Sequence, residues 1–214
     1  MVQSLSRRGL AAASLLAAFA GYVDGFGFVY LGGYFVSFMS GNTTRGSVDL
    51  STFSWTGAAL ALSFIVSFVA GAMAGTAIPG GRVRGETRVL VMILAIVCLA
   101  AVAAGLDWRW ATGAVLAFAM GAMNTVFARG GQVSFGVTYM TGALVKLAQG
   151  LVRSARGERR TGWGRHLLMW ASIAGGAVLG AAMLNGIGSA ALWVAAGVLA
   201  VLLAVPRLRS WLHV

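Results

Sequence analysis

The sequence predicts an all-α integral membrane protein of six transmembrane helices, arranged as two inverted three-helix repeats, each with a short re-entrant or broken half-helix. Three observations carry this prediction. First, 59% of the 214 residues are hydrophobic and 10% are charged, against about 45–50% and 25% in soluble domains. A water-soluble fold of this size could not hide so much apolar surface. Second, most of the arginines fall in short clusters between apolar runs, as the positive-inside bias requires. Third, the two halves of the chain match at three places in the same order.

Each span follows from an apolar run long enough for a hydrocarbon core that takes about 20 helical residues to cross. Span one covers residues 10–30, after Arg7 and Arg8. Here Ala18-Phe-Ala20 also resembles a signal-peptide cleavage site, but the repeat needs this helix, so it is read as retained. Span two, residues 54–79, leads into Arg82, Arg84 and Arg88. Span three, 89–106, ends at Asp107-Trp-Arg-Trp110, and span four covers 111–129. Span five, 166–186, follows Arg153, Arg156, Arg159, Arg160 and Arg165; span six, 189–205, precedes Pro206, Arg207 and Arg209. Trp55, Trp108, Trp110, Trp163 and Trp211 stand near span ends as interfacial anchors.

Segments 34–50 and 134–151 are less apolar, and each follows a glycine pair, Gly32-Gly33 or Gly130-Gly131. With six spans and a cytoplasmic N-terminus, all four basic clusters face the cytoplasm. Eight spans would put the 82–88 cluster outside. The two segments are therefore expected to be re-entrant or interfacial half-helices, which survive at membrane depth only under protein or beside a watery cavity.

The internal matches set the domain organisation. Leu16-Ala17 with Gly21-Tyr-Val-Asp24 parallels Leu116-Ala117 with Gly121-Ala-Met-Asn124, at an offset of 100. Val36 to Gly41 parallels Val137 to Gly142 at 101, where Arg45 meets Lys146, and Gly71 to Gly75 parallels Gly176 to Gly180 at 105. Three spans per half is an odd number, so the second repeat (107–214) enters the membrane opposite to the first (1–106). Small transporters are often built this way. The small residues four apart, Gly71/Gly75 and Gly176/Gly180, would join either the two halves or two subunits.

Polar residues within the apolar runs are the candidate substrate- or ion-binding residues. Asp24 lies inside span one, beside Tyr22, and an intramembrane carboxylate normally faces a cavity, a partner or a proton. It is read as a proton-coupling group or a counter-ion to a cationic solute, or else as a structural partner of Arg129 or Lys146. Its repeat mate is Asn124. Ser37, Ser40, Gly41, Asn42 and Thr43 in the first half-helix, with Thr138, Tyr139, Thr141 and Gly142 in the second, combine backbone freedom with hydroxyls and an amide. They suit a polar ligand or a helix break. Arg129 is a candidate gate residue, and Lys146 a snorkelling one.

The net charge of +11 would suggest nucleic acid in a soluble protein, but here the clusters serve topology, and no nucleic-acid partner is expected. The lone Cys98 and the two histidines, His166 and His213, offer no disulfide pair and no metal centre. No cofactor or enzyme signature is present, neither a phosphate-binding glycine loop nor a nucleophile–histidine–acid set.

Gly21-Tyr-Val-Asp24 followed by Gly32-Gly33 and Phe35-Val-Ser-Phe-Met-Ser-Gly-Asn-Thr43 resembles the signature of YoaK-type bacterial membrane proteins (domain of unknown function 1275). The stretches Gly121–Asn124 and Thr138–Gly142 are also similar to that family's pattern, so the resemblance covers nearly the whole chain. It implies a bacterial inner-membrane protein of about six helices, and says little about activity. The resulting expectation is a multi-pass protein in the lipid bilayer of the inner membrane with both termini cytoplasmic. It is expected to be a secondary transporter of a small polar solute or ion, proton-coupled through Asp24, and a homodimer because six helices give little bulk. A passive channel and a non-transporting assembly or sensor protein are the alternatives.

Overall fold

In the computed structural model, residues 6–78, 82–126, 128–129, 132–133, 140–158 and 162–204 are described, with backbone alone for 82–84 and the two short strands. The first half forms α1 (Arg7–Tyr30), α2 (Met39–Ser51), α3 (Trp55–Ala77) and α4 (Arg82–Gly105). The second forms α5 (Arg109–Met123), a two-residue strand pair β1 (Ala128–Arg129) and β2 (Gln132–Val133), α6 (Met140–Ala155), α7 (Trp163–Ile187) and α8 (Ala191–Ala204). A 3-10 turn, Gly188–Ala190, separates α7 from α8.

Local sequence sets the helix ends. Ser6 caps α1, its hydroxyl oxygen accepting from the Gly9 amide at 3.0 Å, which satisfies one of the orphan donors of the first turn. α3 stops where Ile78, extended ahead of Pro79, cannot stay helical. The turn from α2 to α3 takes three residues and closes by the Ser54 amide donating to the Asp49 carbonyl at 2.8 Å. The turn from α4 to α5 closes likewise, Trp108 to Ala103 at 3.0 Å. α5 ends at Met123, not at 129 as the apolar run implies. Asn124 donates its side-chain amide to the Met120 carbonyl, and the Thr125 hydroxyl donates to Ala122; such side chains compete with the helical ladder.

The number of long spans is also smaller than the sequence suggests. Among the described residues, four stretches are long and apolar enough to cross a membrane: Arg7–Tyr30, Trp55–Ala77, Gly85–Gly105 and the 42-residue stretch Trp163–Ala204. Spans five and six both lie in that last stretch, divided by the 3-10 turn. α5, at 15 residues, is shorter than a full crossing. The outward surfaces are apolar. Leu62, Val66, Val69 and Met73 of α3 and Val178 and Leu179 of α7 are all exposed, which in water would be an aggregation surface and in lipid is a solvated one. This is a membrane protein, and its surroundings are the bilayer.

Two helix pairs make the closest backbone approaches, and glycines set both. A Cβ on Gly21 or Gly25 of α1 would fall on the carbonyls of Ile173 and Ala177, and one on Gly176 or Gly180 of α7 on those of Ala18 and Tyr22. In the other pair, Gly71 of α3 meets the Phe118 carbonyl, Gly75 lies over Ala122 and Thr125, and Gly121 of α5 meets the Phe68 carbonyl. Only glycine lets two helix backbones come this close, and Cα–H groups then lie against facing carbonyls. In both pairs the contact numbers rise together, so α1 runs parallel to α7 and α3 parallel to α5. The glycine stripes thus join the two halves of one chain. Three of the contacts also match between the pairs: adding 100 to the α1 residue and subtracting 105 from its α7 partner turns Gly21–Ile173 into Gly121–Phe68, Ala18–Gly176 into Phe118–Gly71 and Tyr22–Gly180 into Ala122–Gly75.

Candidate functional site

The site begins where α1 ends. Gly32 (φ 71°) and Gly33 (φ 92°) occupy left-handed backbone that side chains rarely adopt, and the Gly33 amide donates to the Phe28 carbonyl at 2.7 Å. The chain then turns back along α1, and residues 34–38 carry backbone groups with no helical partner.

Two side chains satisfy them. Asp24 lies six residues before the end of α1, about 9 Å down the axis. Its Oδ1 accepts from the Val36 and Ser37 amides, both at 2.9 Å, and the Ser37 hydroxyl also reaches the carboxylate. Asn42, 0% exposed, pairs with Phe35 as a strand would: Phe35 N–H donates to Oδ1 at 2.9 Å and Nδ2 donates to the Phe35 carbonyl at 2.7 Å. Buried backbone polar groups need partners, and in lipid water supplies none. Phe28, Phe35 and Phe38 pack over the break, Phe28 tilted against Phe35 with centroids 4.8 Å apart and Phe38 edge-on to Phe35 at 5.2 Å. Gly41 fits beneath Phe35 and Phe38 because it has no side chain.

α2 then climbs back. Gly46 packs on Ala61 and the Asp49 carboxylate lies against Gly57, so α3 starts at the end of the bundle where α1 finished. At 13 residues, α2 is shorter than a full crossing and ends next to the start of α3. Ser40, Thr43, Thr44, Ser47 and Ser51 form an exposed hydroxyl stripe along it. Thr43, Thr44 and Ser47 each donate to the carbonyl four residues back, Thr43 to Met39 at 2.9 Å. Thr43 and Ser47 also line an open groove of about 380 Å³ against Trp55 and Leu62 of α3.

Of the expected residues, the structure therefore brings together Asp24, Ser37, Gly41 and Asn42, with Ser40 and Thr43 on the adjoining face. Tyr22 serves another junction: its hydroxyl donates to the Ala191 carbonyl at 2.9 Å, fixing α1 to the start of α8. In the second half, Asn124 closes α5, while Thr141 and Gly142 stand in the first turn of α6, Thr141 exposed. Thr138 and Tyr139 lie outside the described residues, as does the Arg129 side chain. Lys146 is exposed near His166. Among the described residues no group of histidine, cysteine, aspartate and glutamate could hold a metal.

Arg45 and Arg109 are not among the candidate site residues that the sequence points to. Arg45 donates to the Gly32 carbonyl at 3.0 Å and lies 3.8 Å over the Tyr34 ring. Arg109 donates to the Tyr30 carbonyl at 2.6 Å. Arg109 caps the last carbonyl of α1, where a cation is favoured, and Arg45 bonds the Gly32 carbonyl in the turn just beyond. Their signal in the sequence was their position, apart from every basic cluster.

Replacing Asn42 by leucine tests the break. It leaves the Phe35 amide and carbonyl without partners, at about 1–3 kcal/mol each. We expect a thermal midpoint several degrees lower in detergent; an unchanged midpoint would show that the break does not depend on Asn42.

The family described as "Protein of unknown function (DUF1275)" matches residues 12–205. A UPF0700 transmembrane protein of Rhizobium meliloti (strain 1021) is 37% identical over 186 residues, 87% of this chain and 80% of the relative. No solved structure matches the chain.

Proposed function

The chain belongs to the DUF1275 family, and from that premise we propose that it is a small secondary transporter of a polar solute. In this reading it sits in the bacterial inner membrane with both termini cytoplasmic. Its six spans form two inverted three-helix repeats, residues 1–106 and 107–214, with the α4–α5 turn as their boundary. Support comes from the parallel pairs α1–α7 and α3–α5 and from their contacts repeating at offsets of 100 and 105. In a three-span inverted repeat, α1 and α7 run the same way through the membrane and α3 and α5 run the opposite way.

One observation carries transport over a purely structural role: the exposed hydroxyl stripe of α2 beside an already satisfied helix break. Asp24 and Asn42 satisfy the break from the other side, so the stripe is not needed to close it. Hydroxyls that donate to their own helix still present free acceptor lone pairs, and hydrocarbon leaves those unused. Water, a solute or a second copy facing the stripe would use those lone pairs. Asp24 supplies a route to coupling: protonation weakens its acceptance of the Val36 and Ser37 amides and so loosens the start of α2. Solute would bind along the stripe while the break shifts.

The test uses the full chain with Cys98 replaced by alanine. Cysteines at Thr43 and Ser47 should react with a membrane-impermeant thiol reagent, and one at lipid-facing Val66 should not. Dye-loaded proteoliposomes should then acidify when amino acids or sugars are added under a proton gradient. A passive channel moves solute without acidification. Unreactive cysteines together with no solute movement would favour the non-transporting alternative, with the stripe facing a second copy.

A further inference from the structure

Arg45 and Arg109 stand at the end of the bundle opposite Arg7, Arg8, Arg88 and Arg165. The ends of α1 and α3 fix this placement: Arg109 begins α5 at the finish of α1, whereas α4 and α7 begin at the other end. Arginines on that side run against the charge bias of membrane proteins, so they call for a reason of their own. Both guanidiniums converge on one dipeptide. Arg45 Nη1 bonds the Gly32 carbonyl and lies beside Gly33, and Arg109 Nη2 lies beside Gly32. With no side chains, Gly32 and Gly33 let the two guanidiniums occupy the space where a Cβ would stand.

Capping accounts for little of their capacity. A guanidinium has five N–H donors; Arg45 and Arg109 each give one to a backbone carbonyl. Neither has a carboxylate within ion-pair distance among the described residues. The Tyr34 and Trp110 rings, 3.8 and 5.1 Å from the two guanidinium carbons, hold the side chains in place, so little of their freedom remains to be lost on binding.

We infer that Arg45 and Arg109, brought together over Gly32–Gly33, form an oxyanion-binding site at the mouth of the α1–α2 break, taking a phosphate-type group through their guanidinium donors. Two planar forks with unused donors match a tetrahedral anion through charge-assisted bonds. A free phosphate and the phosphodiester of an anionic lipid share this chemistry. The site stands apart from the transport reading, since binding requires no solute to cross.

The experiment titrates inorganic phosphate against the thermal midpoint of the full chain in uncharged detergent at fixed ionic strength. In parallel, phosphatidylglycerol retained from mixed nanodiscs is counted by native mass spectrometry against phosphatidylcholine. Free phosphate as ligand predicts a midpoint that rises with phosphate, with Arg109→Gln needing about tenfold more or worse. A lipid headgroup predicts retained phosphatidylglycerol that Arg109→Gln releases. Arg45→Lys keeps the charge but loses the fork, and should weaken either signal. Arg153→Gln, a basic residue of α6 far from the site, should change neither. Arg109 is exposed, so its variant should fold even where an Arg45 variant does not. If neither phosphate response nor lipid retention depends on Arg109, the site is refuted, and the transport reading remains to be judged by solute flux.

Discussion

Gly175→Ala and Gly176→Ala, neighbours in α7, are expected to move stability in opposite directions. Nothing lies within 4 Å of a Cβ at Gly175, whereas one at Gly176 falls on the Ala18 carbonyl. The first substitution therefore gains only helix propensity, up to about 1 kcal/mol. The second forces α1 and α7 apart, and overpacking of this kind costs about 1–3 kcal/mol. A leucine at 176 should cost more still, because backbone cannot move aside as a flexible side chain would. Gly71→Ala should match Gly176→Ala closely, since it meets the Phe118 carbonyl in the equivalent place of the α3–α5 pair. Denaturant or thermal unfolding of the four variants in one detergent decides the matter. If Gly175 and Gly176 shift the same way, the glycine contacts do not set the helix spacing.

Asp24→Leu is expected to be among the most damaging single changes in the first half, while Asp24→Asn is expected to fold. Leucine leaves the Val36 and Ser37 amides with no acceptor, at about 1–3 kcal/mol apiece, in a segment where water is scarce. Asparagine keeps an oxygen where Oδ1 stands and can accept from both amides, so its cost should be about 1 kcal/mol, the difference between charged and neutral acceptors. The pair separates structure from chemistry. Asp24→Asn should retain the thermal midpoint within a few degrees and yet abolish solute-dependent acidification of proteoliposomes. A folded Asp24→Asn that still couples solute to protons would leave Asp24 with a structural role alone.

Much of the architecture was legible because its causes are local. Apolar runs gave the long helices, the glycine pair at 32–33 gave the break, and the polar stretch to Ser51 gave a half-helix in place of a span. The glycine stripes were legible as contact surfaces, but their partners were not. Gly71 and Gly176 look alike in sequence, and only the folded chain pairs one with Phe118 and the other with Ala18. The same limit applies at the site. Asp24 stood out as a carboxylate among apolar residues, yet its partners are the backbone amides of Val36 and Ser37, groups that every residue but proline carries. A search for charged partners therefore pointed to Arg129 and Lys146. Arg45 enters the sequence argument only as the repeat mate of Lys146, and Arg109 only within the end of span three, because single arginines near helix ends ordinarily snorkel. Their meeting over Gly32 joins residues 64 positions apart.

The exchange of partners between halves also sets a timetable for biosynthesis. The most extensive interface of α1 is with α7, and about 130 residues separate the end of one from the start of the other. At about 5–20 residues per second, α1 waits on the order of ten seconds in the membrane with its glycine stripe uncovered. During that interval the stripe offers any neighbouring small-residue helix a place to dock. The nascent chain thus has an orphan interval, in which the insertion machinery, rather than the fold, must keep α1 from the wrong companion.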